Sequence, residues 1–213
     1  MKDTLAYYNK NADGFVESTF QVSMEELYQE FLPHVIKHGH ILDAGCGSGR
    51  DAAFFQQQGY RVSAFDGSDA IASLAREKTG LLVQHRYFSD IHESSTYDGI
   101  WACASLLHLP LVEVPEAIGR LWNALKPDGA LYMSFKIGKG ERQHNGRHFT
   151  DADESIAEQW IQDLSGTESC RMWRTNDQRP DRQQQWLNII LNKVPALPDK
   201  LTTGGKEHHF LPK

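Results

Sequence analysis

Three glycines, Gly45, Gly47 and Gly49, alternate with Cys46 and Ser48 inside the segment 41–51, Ile-Leu-Asp-Ala-Gly-Cys-Gly-Ser-Gly-Arg-Asp. The residues before them read as a short apolar strand, and those after them as the start of a helix. Glycines at such a junction let the backbone turn tightly and approach a ligand, with the free N–H groups of the helix facing it. A pyrophosphate cofactor of the dinucleotide type asks for G-x-G-x-x-G, whose third glycine falls at position 50 counting from Gly45. Position 50 is Arg50, and the third glycine comes one residue early, so that chemistry is disfavoured. Asp43 lies two residues ahead of the loop, and Asp66 ends a second strand 21 positions after Gly45. A carboxylate at Asp66 either accepts hydrogen bonds from both hydroxyls of a ribose or caps the helix that begins near Ser68. Asp90, in Tyr87-Phe88-Ser89-Asp90-Ile91, either accepts from an adenine amino group, with Ile91 covering the ring, or is a solvated loop acid.

Other reactive side chains are scattered. His108, just beyond a fourth strand, is the best-placed general base, and its bland alternative is to cap or pack the following helix. Cys103 reads as a small buried residue beside the ligand rather than a nucleophile. His34 with His38, and His144 with His148, have the i,i+4 spacing of helical metal ligands, but neither pair has a third ligand or an HExxH glutamate nearby, so no metal site is expected. The segment 136–148 gathers Lys136, Lys139, Arg142 and Arg147. It reads either as a contact for an acidic or oxyanion-bearing ligand or as a mobile charged loop. Tyr7, Tyr8 and Phe15 either close over the ligand or pack the first helix.

The elements that position these residues alternate regularly. Residues 4–37 read as helical, with Ser23 and Glu26 forming a capping box and Pro33 ending or kinking the helix. Strands follow at 40–44, 61–66, 81–85, 97–103 and 130–136. Helices lie at 49–58, closed by Gly59, at 70–78, capped by Ser68 or Asp69 and ended by Gly80, and at 111–125. Residues 126–129 read as a turn and 137–148 as a polar loop. Residues 150–164 look helical, and 168–175 with 185–192 read as two strands around a turn at 176–181. Strand alternating with helix at this pitch implies an α/β fold, a Rossmann-like three-layer α/β/α sandwich. The last two strands would complete a seven-stranded, mostly parallel sheet. The domain is expected over 1–194, with 1–38 as a helical cap. Residues 195–213 hold three of the eight prolines and a Gly-Gly pair and read as a tail or linker.

Bulk properties narrow the class of partner. At 213 residues the chain is long enough for one domain and short for two. Acidic residues outnumber basic ones, 28 to 22, for a net charge of −6, which argues against a nucleic-acid duplex as the main partner. Three separated cysteines form no CxxC pair, and no run approaches the roughly 20 apolar residues that span a bilayer. A cytoplasmic protein with no membrane partner is expected. Its oligomeric state is not readable.

The ordered set Asp43-Ala-Gly-Cys-Gly-Ser-Gly49, Phe65-Asp66-Gly-Ser68, Ser89-Asp90-Ile91, Tyr97-Asp-Gly-Ile-Trp-Ala-Cys103, Leu107-His108-Leu109 and Leu125-Lys-Pro-Asp-Gly129 resembles the class I S-adenosylmethionine-dependent methyltransferases. The resemblance spans about residues 5–192, and within the class it is to the small bacterial branch that includes tellurite-resistance-type enzymes. It implies S-adenosylmethionine as cofactor, S-adenosylhomocysteine as product, and in-line methyl transfer to a small-molecule acceptor. Asp43, Gly45, Cys46, Gly47 and Gly49 would surround the methionine part, Asp66 with Gly67 and Ser68 the ribose, and Asp90 with Ile91 the adenine. The backbone at Cys103 would meet the amino group, with Tyr8 and Arg50 near the carboxylate; a surface ion pair is the other reading of Arg50. The resemblance also places the last strand antiparallel in the sheet. The alternatives are a catalytically silent cofactor-binding regulatory module, or the methyltransferase domain of a larger nucleic-acid-processing protein. The latter rests on a faint resemblance of 201–213 to the entry of a phospholipase D-like module.

Overall fold

The computed structural model describes residues 2–179 and 182–196. Most of the tail expected at 195–213, and residues 180 and 181 of the turn, lie outside the described residues.

Chain order begins with helices α1 (Lys2–Lys10), α2 (Ala12–Phe20) and α3 (Glu25–Phe31), then β1 (His40–Ala44), α4 (Arg50–Gln57), β2 (Arg61–Asp66), α5 (Asp69–Thr79), β3 (Val83–His85) and β4 (Tyr97–Ala102). It continues with α6 (Val114–Ala124), β5 (Leu125–Lys136), β6 (Gly140–His144), β7 (Arg147–Asp151), α7 (Glu154–Ile161), β8 (Thr167–Asn176) and β9 (Gln185–Lys193). The seven-stranded sheet runs β3-β2-β1-β4-β5-β9-β8. Pairings from β3 through β5 are parallel, and β9 is antiparallel to both β5 and β8. The expected sheet and its antiparallel end are therefore present.

The side-chain period of two in β5 builds both faces of the core. Leu131, Met133 and Phe135 pack with Ile118 and Leu121 of α6 and Trp160 of α7. Ala130 and Tyr132 join Phe31 of α3, Phe55 of α4 and Trp101 of β4 on the other side. Tyr132 and Trp101 are fully buried and stacked with ring centroids 3.9 Å apart. These two apolar faces are what hold helices against both sides of the sheet.

Several boundaries differ from the sequence reading, each for a local reason. The single helix read at 4–37 is three. The Asn11 side chain donates to the Tyr7 carbonyl, and Ser18 and Thr19 hydroxyls both donate to the Phe15 carbonyl, so polar side chains take over backbone acceptors near the breaks. The Ser23–Glu26 capping box does not form: Met24 is the N-cap of α3 and no side chain caps it. Pro33 lies in a single 3-10 turn, Leu32–His34, that follows α3. The turn read at 126–129 is the first part of β5, where the register against β4 shifts between Tyr97 and Gly99 and Asp128 takes a φ of 65°. The polar loop read at 137–148 is mostly the hairpin β6–β7. Asn145 and Gly146 have φ of 50° and 73°, the positive pair that a tight Asn-Gly hairpin turn requires. The helix read at 150–164 begins only after Asp153, whose carboxylate accepts from the Ile156 N–H at 3.0 Å. His144 and His148 consequently sit on β-strands and not at helical spacing. Among the described residues, no helix is long and apolar enough to cross a membrane.

One carboxylate ties the layers together. Asp51, in the first turn of α4, accepts from Arg50 Nε at 2.7 Å, Arg50 Nη2 at 3.0 Å, Trp101 Nε1 at 2.9 Å and the Tyr28 hydroxyl. Burial works against its charge, but the Arg50 guanidinium and the other donors outweigh it and hold the carboxyl below its ordinary range. Removing the carboxylate strands Arg50 and leaves buried donors without partners. The variant Asp51→Ala is expected to lose about 3–5 kcal/mol in urea unfolding, whereas Trp101→Phe, which removes one donor, loses about 1–3 kcal/mol.

Candidate functional site

Two adjoining cavities open beyond the carboxyl ends of the central strands, and they share Tyr8, Phe15, Gly45, Gly47, Ala104 and His108. This is the end of an open parallel sheet at which ligands bind. The first cavity is an apolar slot walled by Leu5, Phe65, Tyr87, Phe88 and Leu109, with Asp66 and Gly67 at its edge. The second is broader, running past Cys46, Arg50 and Cys103 to Lys136, Arg147 and Trp186.

The glycine loop leaves β1 with positive φ at Gly45 (78°), Gly47 (54°) and Gly49 (78°). A Cβ at Gly45 would lie 2.5 Å from that of Ser105, whose hydroxyl is pinned by donating to the Ala44 carbonyl at 2.7 Å. Gly45 is thus fixed both by conformation and by contact, and it lines both cavities. Gly49 does different work. It lines neither cavity, and a Cβ there would meet Thr79 Cγ2 at 2.9 Å and Ala75 Cβ at 3.3 Å. Its absence of a side chain lets the start of α4 pack on α5.

Asp66 braces the loop from below. Its Oδ2 accepts from Gly47 N–H and its Oδ1 from Ser68 N–H, both at 2.9 Å. Burial raises its pKa, and these amides offset part of that rise. Capping of α5 belongs to Ser68, which accepts from Ile71 N–H at 3.3 Å, donates to Asn9 Oδ1 at 2.7 Å, and lines neither cavity. Asp43 is buried beneath the loop with Oδ2 unpartnered. Burial and the neighbouring Asp51 charge push its carboxyl up.

The remaining sequence candidates divide. Tyr8, Cys46, Arg50, Gly67, Cys103 and His108 line the cavities together with Gly45, Gly47 and Asp66. Asp90 and Ile91 do not. The Asp90 carboxylate turns back to accept from its own turn, at Tyr87 N–H, while Ile91 is fully buried in the core against α6. Arg50 forms the ion pair with Asp51 and also donates to the Thr19 carbonyl. Cys103 is a poor nucleophile, since burial and the Asp51 charge push its thiol up to about 12. Sequence reasoning missed Tyr87 and Phe88 as slot walls, although two adjacent aromatics just after the third strand were a visible signal. It also missed Asp51, which looked like an ordinary acid in a first helical turn, and Trp186, which only the antiparallel β9 brings here.

His108 sits between the cavities. Its Nδ1 lies 2.8 Å from the His148 carbonyl, which can only accept, so Nδ1 carries the proton. Nε2 therefore accepts from the Tyr8 hydroxyl at 2.9 Å. Burial, the largest influence, lowers its pKa to about 4. A neutral imidazole of such low basicity, already accepting a hydrogen bond, is a weak base at neutral pH. Its geometry instead orients Tyr8, which lines both cavities. Among the described residues no cluster of three histidine, cysteine or acidic side chains is arranged to hold a metal.

Residues 41–129 match the family model described as "Methyltransferase domain". Over that segment the chain is similar to the methyltransferase domain family. An uncharacterized methyltransferase of Staphylococcus carnosus is 29% identical over 117 residues, covering 54% of this chain and 56% of that protein. A trans-aconitate 2-methyltransferase of Deinococcus radiodurans is 28% identical over 109 residues, 50% of this chain and 42% of that protein. The chain spans about half the length of the curated relatives it matches. Among solved structures, the Burkholderia thailandensis 1,6-didemethyltoxoflavin-N1-methyltransferase, with bound 1,6-didemethyltoxoflavin and S-adenosylhomocysteine, aligns with a TM-score of 0.74. The two share 23% identity over 91% of this chain and 88% of that one. The Rossmann-like methyltransferase fold thus extends well beyond the matched segment.

The buried neutral His108 has a pH signature. Its folded pKa is depressed below the usual value near 6.5, so the stability it contributes is fully present above about pH 6.5 and is lost as pH falls toward about 4. His108→Asn removes this titration. Thermal denaturation between about pH 7 and pH 4 should therefore show a smaller loss of Tm in the variant than in the parent protein.

Proposed function

We propose that this chain binds S-adenosylmethionine along the first cavity and around the glycine loop, and transfers its methyl group to a small-molecule acceptor in the second cavity. The observation that carries this reading is the joint placement of Gly45, Gly47 and Asp66. A glycine turn with positive φ at Gly45 and Gly47, lining both cavities, stands beside a half-buried carboxylate at the edge of an apolar slot. The donor set fits the group. Leu5, Tyr87, Phe88 and Leu109 offer apolar faces to a purine, and Asp66 offers acceptor oxygens to ribose hydroxyls. The orphaned Asp43 oxygen beneath the loop is a buried polar group without a partner, and burial with the Asp51 charge favours its neutral form. The main chain at Cys103 and the Tyr8 hydroxyl remain the proposed polar neighbours of the amino-acid part, with Arg50 reaching it only from within its pair with Asp51.

When bound, the cofactor supplies an electrophilic methyl group on a positively charged sulfur, and its departure leaves a neutral thioether. The protein's share is position and exclusion of water. Tyr8, held by His108, and Phe15, 3.3 Å from where a Gly47 Cβ would sit, close the boundary at which the two cavities meet. The relatives' names include a trans-aconitate methyltransferase and a malonyl-[acyl-carrier protein] O-methyltransferase, which supports an acceptor smaller than a nucleic acid.

Titration calorimetry with S-adenosylhomocysteine tests the reading. The parent protein is expected to bind one equivalent, and Asp66→Ala to bind about 10- to 100-fold more weakly through loss of hydrogen bonds to a charged acceptor. Absence of binding by the folded parent protein would falsify the proposal. Binding without transfer of labelled methyl to any member of a panel of small acceptors would favour a silent cofactor-binding module.

A further inference from the structure

The second cavity carries a charge pattern opposite to that of the whole chain. Five basic side chains and two acidic ones line it, in a protein of net charge −6. Both acids are already matched: Asp51 to Arg50, and Asp177 to Arg179 at 2.7 Å. Asp151, which flanks the cavity, is engaged by Arg142. Lys136 at the end of β5 and Arg147 at the start of β7 form no ion pair among the described residues, and Arg147 Nε is buried without a hydrogen-bond partner. Aromatic faces hold these cations in place. Lys136 Nζ lies 4.0 Å from the centre of the Phe149 ring, and Arg147 Cζ lies 5.3 Å from the same ring and 4.6 Å from that of Tyr7. Ring faces attract cations but bring no negative charge. Two half-buried cations thus converge on one ring, and among the described residues neither has an ion-pair partner of its own, an arrangement that an incoming anion completes.

We propose that the methyl acceptor is a small anionic molecule whose carboxylate or phosphate group binds between Lys136 and Arg147. The acceptor role rests on the function proposed above; the anion site stands on the cavity itself. The surroundings of Lys136 make the site sensitive to pH. Burial and then the charges of Arg142, Arg147 and Arg182 push Lys136 down to about 8, against the opposing pull of Asp151. Bound anion stabilises the protonated ammonium, so binding takes up a proton near that pH, and affinity falls as pH rises through it.

The experiment uses the full chain saturated with S-adenosylhomocysteine and three probes of similar shape: benzoate, phenyl phosphate and the uncharged benzamide. Ligand-observed NMR titration is expected to show at least one anion binding about tenfold or more tightly than benzamide, and the tighter of the two identifies the group as carboxylate or phosphate. Lys136→Met and Arg147→Gln should each erase most of that preference while S-adenosylhomocysteine affinity stays within about twofold. Anion affinity should fall about five- to tenfold from about pH 7 to about pH 9 in the parent protein and hold steady in Lys136→Arg. Equal binding of benzamide and both anions overturns the proposal, as does a preference that survives in both neutral variants. The comparison of charged with uncharged probes decides on the parent protein alone should a variant fail to fold. Failure of S-adenosylhomocysteine to bind sinks the cofactor reading and leaves the probe comparison, run without it, to decide the anion site.

Discussion

The placement of the glycine loop depends on one buried carboxylate. Asp51 gathers donors from Tyr28 on α3, Trp101 on β4 and its own neighbour Arg50, and so locks the first turn of α4 to a strand and to the helical layer outside it. The loop 45–49 is strung between β1 and that turn. A buried charge usually costs stability unless it is fully hydrogen-bonded, and here every donor that satisfies it comes from an element whose position matters to the loop. Trp101 extends the reach of the network, because its ring stacks on Tyr132 and carries the same constraint into β5.

The cleft is electrically divided. Asp43, Asp51 and Asp66 lie under or beside the glycine loop with Arg50 as their main counter-charge, and their field raises the Cys46 thiol after burial has already done so. Beyond His108 the sign reverses, with Lys136 and Arg147 projecting from the sheet end and the hairpin. Tyr8 marks the frontier, its hydroxyl proton committed to a neutral imidazole that burial keeps uncharged. A neutral hydrogen-bonded pair thus stands between two regions of opposite charge.

Much of this was legible in the sequence, and the limits have physical causes. The strands β1, β4 and β5 announce themselves because their central residues are buried on both faces, and β1 and β2 because glycines lie near their ends, from which Gly45, Gly47 and Asp66 follow. Gly49 shows where spacing misleads: it belongs to the motif by sequence, yet its open space is used by Thr79 and Ala75 of a neighbouring helix. Asp90 and Ile91 line neither cavity for a related reason. A strand end fixes which residues emerge, but the single 3-10 turn at Phe88–Asp90 rotates Phe88 toward the slot and Ile91 into the core, and no periodicity reports on one turn. The hairpin was hidden by its polar composition, since β6 is largely solvent-facing and β7, though half buried, carries Phe149 as its one large apolar side chain, so neither shows apolar alternation. The Asn145-Gly146 pair was its one local signal.

That hairpin is attached largely through side chains: Phe149 is buried in the main core, the Thr150 hydroxyl donates to the Leu109 carbonyl, and the His148 carbonyl accepts from His108. It forms a two-stranded sheet of its own, with an isolated bridge between Ile137 and Ala152 at its base and a hydrogen bond from His148 N–H to Thr4 on α1. The seven-stranded sheet does not need its backbone pairing, whereas Arg147 and Phe149 reach the cleft only through it. Insertions, deletions and exchanges at Asn145-Gly146 therefore fall beside Arg147, which lines the second cavity, and outside the ladder of the main sheet. A ribbon outside the main ladder can thus change at its tip without disturbing the register of the seven strands.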